Sequence, residues 1–139
     1  MPDDPQQPTR LFVYGTLMPG HGNHHRIERH VRHARPGRIQ GVLVDLGAYP
    51  ALVPGDGVVD GIVLDIGPAA LVITDRIEGY APNRRDCLYL RKEVTVTHDD
   101  GTQTTAWTYE FSEPRRIDDQ PRLTAKEVGG DVVHSWPAR

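Results

Sequence analysis

The chain has a single cysteine, no apolar run of bilayer length, and no large excess of either charge in its 139 residues. Cys87 therefore has no partner for an intramolecular disulfide. Arg84 and Arg85 flank it without supplying a recognisable base, so it reads as a bystander rather than a nucleophile. No segment approaches the ~18 consecutive apolar residues that cross a bilayer. Met1-Pro2-Asp3-Asp4 lacks the basic and then apolar pattern of a secretory signal. A cytoplasmic address with no membrane partner is the expectation. A formal net charge of -3 gives no global field for nucleic acid or an anionic surface. The one basic stretch, Arg26, Arg29, Arg32, Arg35 and Arg38 with His24, His25, His30 and His33 beside them, lacks interleaved aromatics, so no nucleic-acid partner is expected.

A composition of 37% hydrophobic and 25% charged residues describes a globular domain. Residues 1–9 hold three prolines and almost nothing apolar, which predicts a disordered tail before a single domain over 10–139. Leu11-Phe12-Val13-Tyr14 is a short β-prone run that feeds a loop punctuated by Gly15, Pro19, Gly20 and Gly22. Asn23 is placed to cap a helix in which Ile27, Val31 and Ala34 share one side, ended by Pro36-Gly37. Arg38 to Leu46 and Val58 to Ile66 read as neighbouring strands, with turns at Tyr49-Pro50 and at Pro54 to Gly57. A second helix opens at Gly67-Pro68, carries Ala69, Val72, Ile73 and Ile77 at helical spacing, and stops at Gly79. Leu88 to Thr97 and Thr102 to Phe111 form a hairpin about His98-Asp99-Asp100-Gly101. Ser112 to Leu123 reads as a loop or mobile flap, and the pattern of 124–139 is ambiguous. The sum is an α+β domain in which strands outnumber helices.

Two features could carry chemistry. Glu78 falls in the last turn of the second helix, where the macrodipole opposes its charge by roughly 0.3 to 1 kcal/mol and so raises its pKa. Burial would add to that shift and make a general acid/base; an exposed glutamate at a fraying helix end fits the same residues. Tyr14-Gly15-Thr16-Leu17 ends a strand in a glycine-rich loop whose N–H groups can cradle a carboxylate or oxyanion; an ordinary tight turn also fits. A nucleotide P-loop does not, because His21-Gly22 stands where Lys-Ser/Thr is needed. The histidine cluster has no His-Glu-x-x-His frame and is interleaved with cations, so it reads as a solvated basic face and no metal site is assigned. Tyr89 and Arg91 share one face of their strand and Trp107 and Tyr109 one face of the next. They could line one wall, with buried tyrosine hydroxyls offered to a ligand.

Taken in order, Leu11 to Gly20 with Asn23-His24, then Asp45 to Leu52, Asp75-Arg76-Ile77-Glu78-Gly79-Tyr80, Tyr89-Leu90-Arg91 and Ala106-Trp107-Thr108-Tyr109 resemble the γ-glutamyl cyclotransferase-like superfamily. That superfamily includes γ-glutamylamine cyclotransferases and plant avirulence-induced-gene-like proteins. The resemblance implies a small mixed β-barrel with flanking helices and no cofactor. Its cavity would set Glu78 as the catalytic residue against Tyr14, Gly15, Thr16 and Leu17, with Tyr89 and Tyr109 as further substrate contacts. The implied reaction takes a γ-glutamyl amine or amide and releases 5-oxoproline and a free amine or amino acid; a non-catalytic binding protein of the same fold is the rival. The family's Ser-Gly-Asp-Trp-like ending is altered here, since Gly129-Gly130-Asp131 is followed by Val132-Val133 and tryptophan comes only at Trp136. Neither the substrate nor the oligomeric state is written in these motifs.

Overall fold

The computed structural model describes residues 9–121 apart from 48, 85 and 118, together with the backbone of 125–128 and 131–134. Its elements are β1 (Thr9–Val13), β2 (Val31–Asp45), β3 (Pro50–Ile66), α1 (Pro68–Glu78), β4 (Tyr89–Thr97), β5 (Gln103–Phe111), β6 (Ala125–Val128) and β7 (Asp131–His134). The strand order β1-β5-β4-β2-β3 closes on itself, because β3 also pairs with β1. The result is a five-stranded barrel, and β7 and β6 continue the sheet outward from β3. Closure pairs the edges of β1 to β5 that would otherwise template aggregation, and β6 stands at the outer end of the sheet.

β1 explains its own composition. Leu11 and Val13 enter one apolar cluster while Phe12 and Tyr14 enter a second on the opposite face. A strand buried on both faces reads as a continuous apolar run rather than an alternating one. The first cluster also receives Ala70, Leu71, Ile73 and Ile77, so α1 lies on that side of the sheet. Gly61 is held in the strand next to β1 because a Cβ there would run into the Phe12 ring and the Val13 carbonyl.

Three expectations need correcting. The first expected helix does not form. Two short 3₁₀ turns, His24–Arg26 and Glu28–His30, lead straight into β2, where Val31 to Arg35 pair with Ile66 to Val63. Only Ile27 of the three-residue stripe is fully buried and Ala34 is exposed. So thin a stripe could not hold a helix, whereas pairing with β3 satisfies a whole run of backbone groups. Among the described residues the expected barrel is thus flanked by the α-helix α1 and short 3₁₀ turns. Second, β3 runs through Pro54 to Gly57 without ending. The register slips there, from Val42 opposite Val53 to Gln40 opposite Val58. Third, the loop after β5 is docked. It contains a short turn, Pro114–Ile117, with Ile117 buried in the first cluster, and the Pro121 carbonyl accepts from Asp45 N–H at 2.8 Å.

The helix α1 and the hairpin β4–β5 form where the sequence places them. In α1 the inward residues include Ala70 and Thr74, while Ala69 and Val72 of the expected stripe face outward. Residues 1–8 of the expected tail lie outside the described residues, and Thr9, counted with that tail, already pairs with Ile66. Among the described residues no helix is long and apolar enough to cross a membrane.

Candidate active site

Tyr14, Gly15, Thr16, Leu17, Glu78, Tyr89 and Tyr109, from four separate elements, line one cavity of about 510 Å³. Asn23, Tyr49, Pro50, Arg76 and Leu88 are also part of its wall.

The loop after β1 is shaped by packing. A Cβ on Gly15 would stand 2.8 and 2.9 Å from Cγ and Cδ of Pro50, so no larger residue fits without moving the loop. Asn23 holds the loop from outside: its Nδ2 donates to Thr16 Oγ1 at 2.9 Å and its N–H to the Thr16 carbonyl at 2.8 Å. Asn23 thus ties the loop instead of capping a helix. Nδ1 of His24 meets the Leu17 carbonyl at 2.8 Å. The Gly15 carbonyl accepts from Met18 N–H at 3.0 Å. Every carbonyl from Gly15 to Leu17 is therefore engaged, while the N–H groups of Gly15, Thr16 and Leu17 find no partner among the described residues. Successive unpaired N–H groups are rare in a protein interior and form a ready anion cradle. The Leu17 side chain is buried in the core and contributes only backbone to this purpose.

Glu78 comes from the last turn of α1, which Gly79 terminates in the left-handed conformation at φ 69°. The Tyr80 N–H donates back to the Asp75 carbonyl at 2.8 Å and the Gly79 N–H to that of Arg76 at 3.2 Å, closing the helix end in a Schellman arrangement. Burial pushes the Glu78 carboxyl up from the ordinary 4.5 to about 7. The helix C-terminus acts in the same direction, but removal from water is what moves it. Glu78 is the one carboxyl among the described residues of the cavity wall.

The tyrosines play a different part from the one their hydroxyls suggested. Tyr14 donates to the Tyr109 carbonyl at 2.6 Å, Tyr89 to the Pro50 carbonyl at 2.9 Å, and Tyr109 to Asp75 Oδ1 at 2.6 Å. All three hydroxyl protons are committed within the protein. A hydroxyl whose proton is so committed can meet a ligand only as an acceptor. Burial first, and then the charge of Glu78, raises the pKa values of Tyr14 and Tyr89; burial, and then the bond to Asp75, raises that of Tyr109. All three stay neutral near pH 7. Tyr89 also stacks edge-on against Tyr49 and Phe111, at 6.3 and 5.6 Å between ring centres.

The expected wall of Tyr89, Arg91, Trp107 and Tyr109 forms, since β4 and β5 pair with Arg91 opposite Tyr109. Its outer half, Arg91 and Trp107, stacks at 5.0 Å and does not line the cavity. Pro50 and Leu88 were not visible as site residues from sequence, and the Tyr49-Pro50 signal indicated only a turn. Cys87 is buried, with Sγ 3.4 Å from Ala81 N and 3.5 Å from its carbonyl oxygen, and braces the segment after α1. Of the arginine-rich stretch, Arg26 and Arg29 lie in the two 3₁₀ turns and Arg32, Arg35 and Arg38 on β2, where Arg35 pairs with Asp100 and Arg38 with Asp60. Among the described residues no group of three or more His, Cys, Asp or Glu is placed to hold a metal ion.

The family described as "Gamma-glutamyl cyclotransferase, AIG2-like" matches residues 11–129. Gamma-L-glutamyl-butirosin B gamma-glutamyl cyclotransferase of Niallia circulans is 35% identical over 136 aligned residues, covering 90% of this chain and 86% of that protein. A gamma-glutamylcyclotransferase family protein, ytfP, of Citrobacter rodentium is 30% identical over 105, covering 76% and 83%. In fold, the crystal structure of an AIG2-like protein of Mus musculus superposes with a TM-score of 0.66 at 22% identity, covering 95% of this chain and 97% of that one. This chain belongs to the AIG2-like γ-glutamyl cyclotransferase family.

Proposed function

We propose that the protein is a γ-glutamyl cyclotransferase that takes a γ-glutamyl amine or amide, closes its γ-glutamyl group to 5-oxoproline and releases the free amine. The observation that carries this reading is one cavity lined by a carboxyl with a pKa near 7 and by three consecutive residues whose N–H groups find no partner among the described residues. In this reading the substrate's α-carboxylate rests on the N–H groups of Gly15, Thr16 and Leu17, and its α-ammonium faces Glu78. Tyr89 and Tyr109 bound the glutamyl chain with their rings, and the Tyr14 ring backs the loop.

The proton traffic suits a raised carboxyl. The α-ammonium must lose a proton before its nitrogen can attack the γ-carbonyl carbon. The pKa of the α-ammonium lies above both carboxyl values, so transfer to a carboxylate of pKa about 7 is uphill by about 3 kcal/mol less than transfer to an ordinary carboxylate at 4.5. Attack makes the N–C bond of the lactam and a tetrahedral oxyanion. Collapse then breaks the bond to the leaving nitrogen, which Glu78 protonates. Two protons in all pass from the attacking nitrogen to the leaving one, and no water is consumed. Because nucleophile and carbonyl belong to one molecule, effective molarities of ~10⁵ M are within reach once the chain is folded into position.

The test is to incubate the protein with γ-glutamyl amines, γ-glutamyl amino acids and glutathione and to measure 5-oxoproline. Release from at least one of them is expected. If the protein binds members of the panel and forms no 5-oxoproline, it is a binding protein on the same fold. Which amine is preferred is left to that panel, although a relative is named for γ-L-glutamyl-butirosin B.

A further inference from the structure

Two residues that flank Glu78 in the chain, Asp75 and Tyr80, are tied to one side chain outside the cavity. Arg91, on β4, sends Nη1 to Asp75 Oδ2 at 2.7 Å, and Asp75 lies three residues before Glu78. The same guanidinium sits 5.3 Å from the ring centre of Tyr80, two residues after Glu78, and 5.0 Å from that of Trp107 on β5. The other oxygen of Asp75 accepts the Tyr109 hydroxyl at 2.6 Å, and that hydroxyl also meets Thr74 Oγ1 at 2.7 Å. Both side chains of the ion pair are about four-fifths buried, at 20% and 19% exposure. This sets the pair apart from the other ion pairs among the described residues, which are more exposed, a kind that contributes little. Asp75 also bears a negative charge in the last turn of a helix, where the macrodipole opposes it.

We propose that Asp75 and Arg91 are positioning residues that clamp the end of α1 to the β4–β5 wall and thereby hold the Glu78 carboxyl in its buried place. The inference rests on the proposed role of Glu78 for its kinetic consequence, but not for its physical one. Arg91 grips the chain on both sides of Glu78, through Asp75 before it and Tyr80 after it. Tyr109 carries the same clamp into the cavity wall. Neither Asp75 nor Arg91 is among the causes of the raised Glu78 pKa, which is burial alone. The clamp therefore acts by geometry, keeping water from the carboxyl.

That distinction gives a test. The groups that face Glu78 are Tyr14 at the end of β1 and Tyr89 on β4, both linked to its charge. Tyr49, Tyr109 and, on its own helix, Arg76 share the cavity wall. None of these is itself substituted in Asp75→Asn or Arg91→Met. The first variant removes a negative charge and the second a positive one, so through-space electrostatics would move the Glu78 pKa in opposite directions. Loosening the clamp hydrates Glu78 in both and moves its pKa the same way, down toward the ordinary glutamate range, an expected fall in proton affinity of about tenfold. The measurement is a ¹³C NMR titration of the Glu78 carboxyl, with far-UV circular dichroism and a cooperative melt to establish folding. Arg91→Lys keeps the charge but loses the fork and the stacking, and should lie between parent and Arg91→Met. Shifts in opposite directions, or no shift in folded variants, would overturn the proposal. Turnover on the same variants should show kcat reduced on the order of tenfold or more with KM nearly constant. If the parent makes no 5-oxoproline, the function reading fails while the titration still decides the clamp.

Discussion

Replacing Glu78 by glutamine should cost the protein its proposed chemistry and raise its stability, with a pH dependence fixed by the carboxyl itself. The folded protein holds Glu78 at about 7 against an ordinary 4.5, so between those values the folded state binds more protons than the unfolded one. Stability therefore falls as pH rises through that window and the full cost is present above it. The difference of 2.5 units between the two values corresponds to about 3 kcal/mol of destabilisation at pH 8, and to under about 1 kcal/mol at pH 5. Glutamine keeps the shape and has no charge to bury, so Glu78→Gln should gain about 2 to 3 kcal/mol relative to the parent between pH 5 and pH 8. In a domain of this size that is a relative rise in Tm of roughly 5 to 12 °C. Thermal melts of both proteins at the two pH values give the result directly. A variant no more stabilised at pH 8 than at pH 5 would refute the claim that burial holds the carboxyl up.

Two further substitutions probe the walls of the cavity. Gly15→Ala puts a Cβ within 3 Å of the Pro50 ring, and a displaced loop should lower kcat/KM on the order of 100-fold at a stability cost of about 1 to 3 kcal/mol. Turnover like the parent's would remove the loop backbone from the proposed site. Tyr14→Phe strips the buried Tyr109 carbonyl of the hydroxyl that donates to it at 2.6 Å. It should cost about 1 to 3 kcal/mol in urea denaturation, and a neutral result would mean that this bond is not made.

What could be read from the sequence is what local chemistry decides. Proline at the first position of α1 and Gly79 at its end mark that helix without reference to the rest of the chain, and they place Glu78 in its last turn. The hairpin about His98 to Gly101 is equally local; its glycine takes φ 84°. The segment after Asn23 is not legible in this way, because its conformation is decided at a distance, by the pairing of Val31 to Arg35 with Ile66 to Val63, 28 to 35 residues on. The outward turn of Val72 has the same origin, since the face of α1 that packs is chosen by the sheet. In the site, the residue types and their order were legible, but the hydroxyl partners were not. Tyr14 and Tyr109 bond across 95 residues, Tyr89 and Pro50 across 39. No pattern in the chain announces that those protons are already spent within the wall, or that Arg91 spans from Asp75 to Tyr80.

The central claim, that Glu78 moves the protons of an intramolecular cyclisation, meets its most direct test in one comparison. Parent and Glu78→Gln are each mixed with a γ-glutamyl amine that the parent cyclises, and 5-oxoproline is followed over time, with binding of the same compound measured by calorimetry. The account predicts that the variant binds the compound and releases 5-oxoproline at least about 100-fold more slowly, the lower range for loss of a general acid/base. Release at the parent's rate would contradict it.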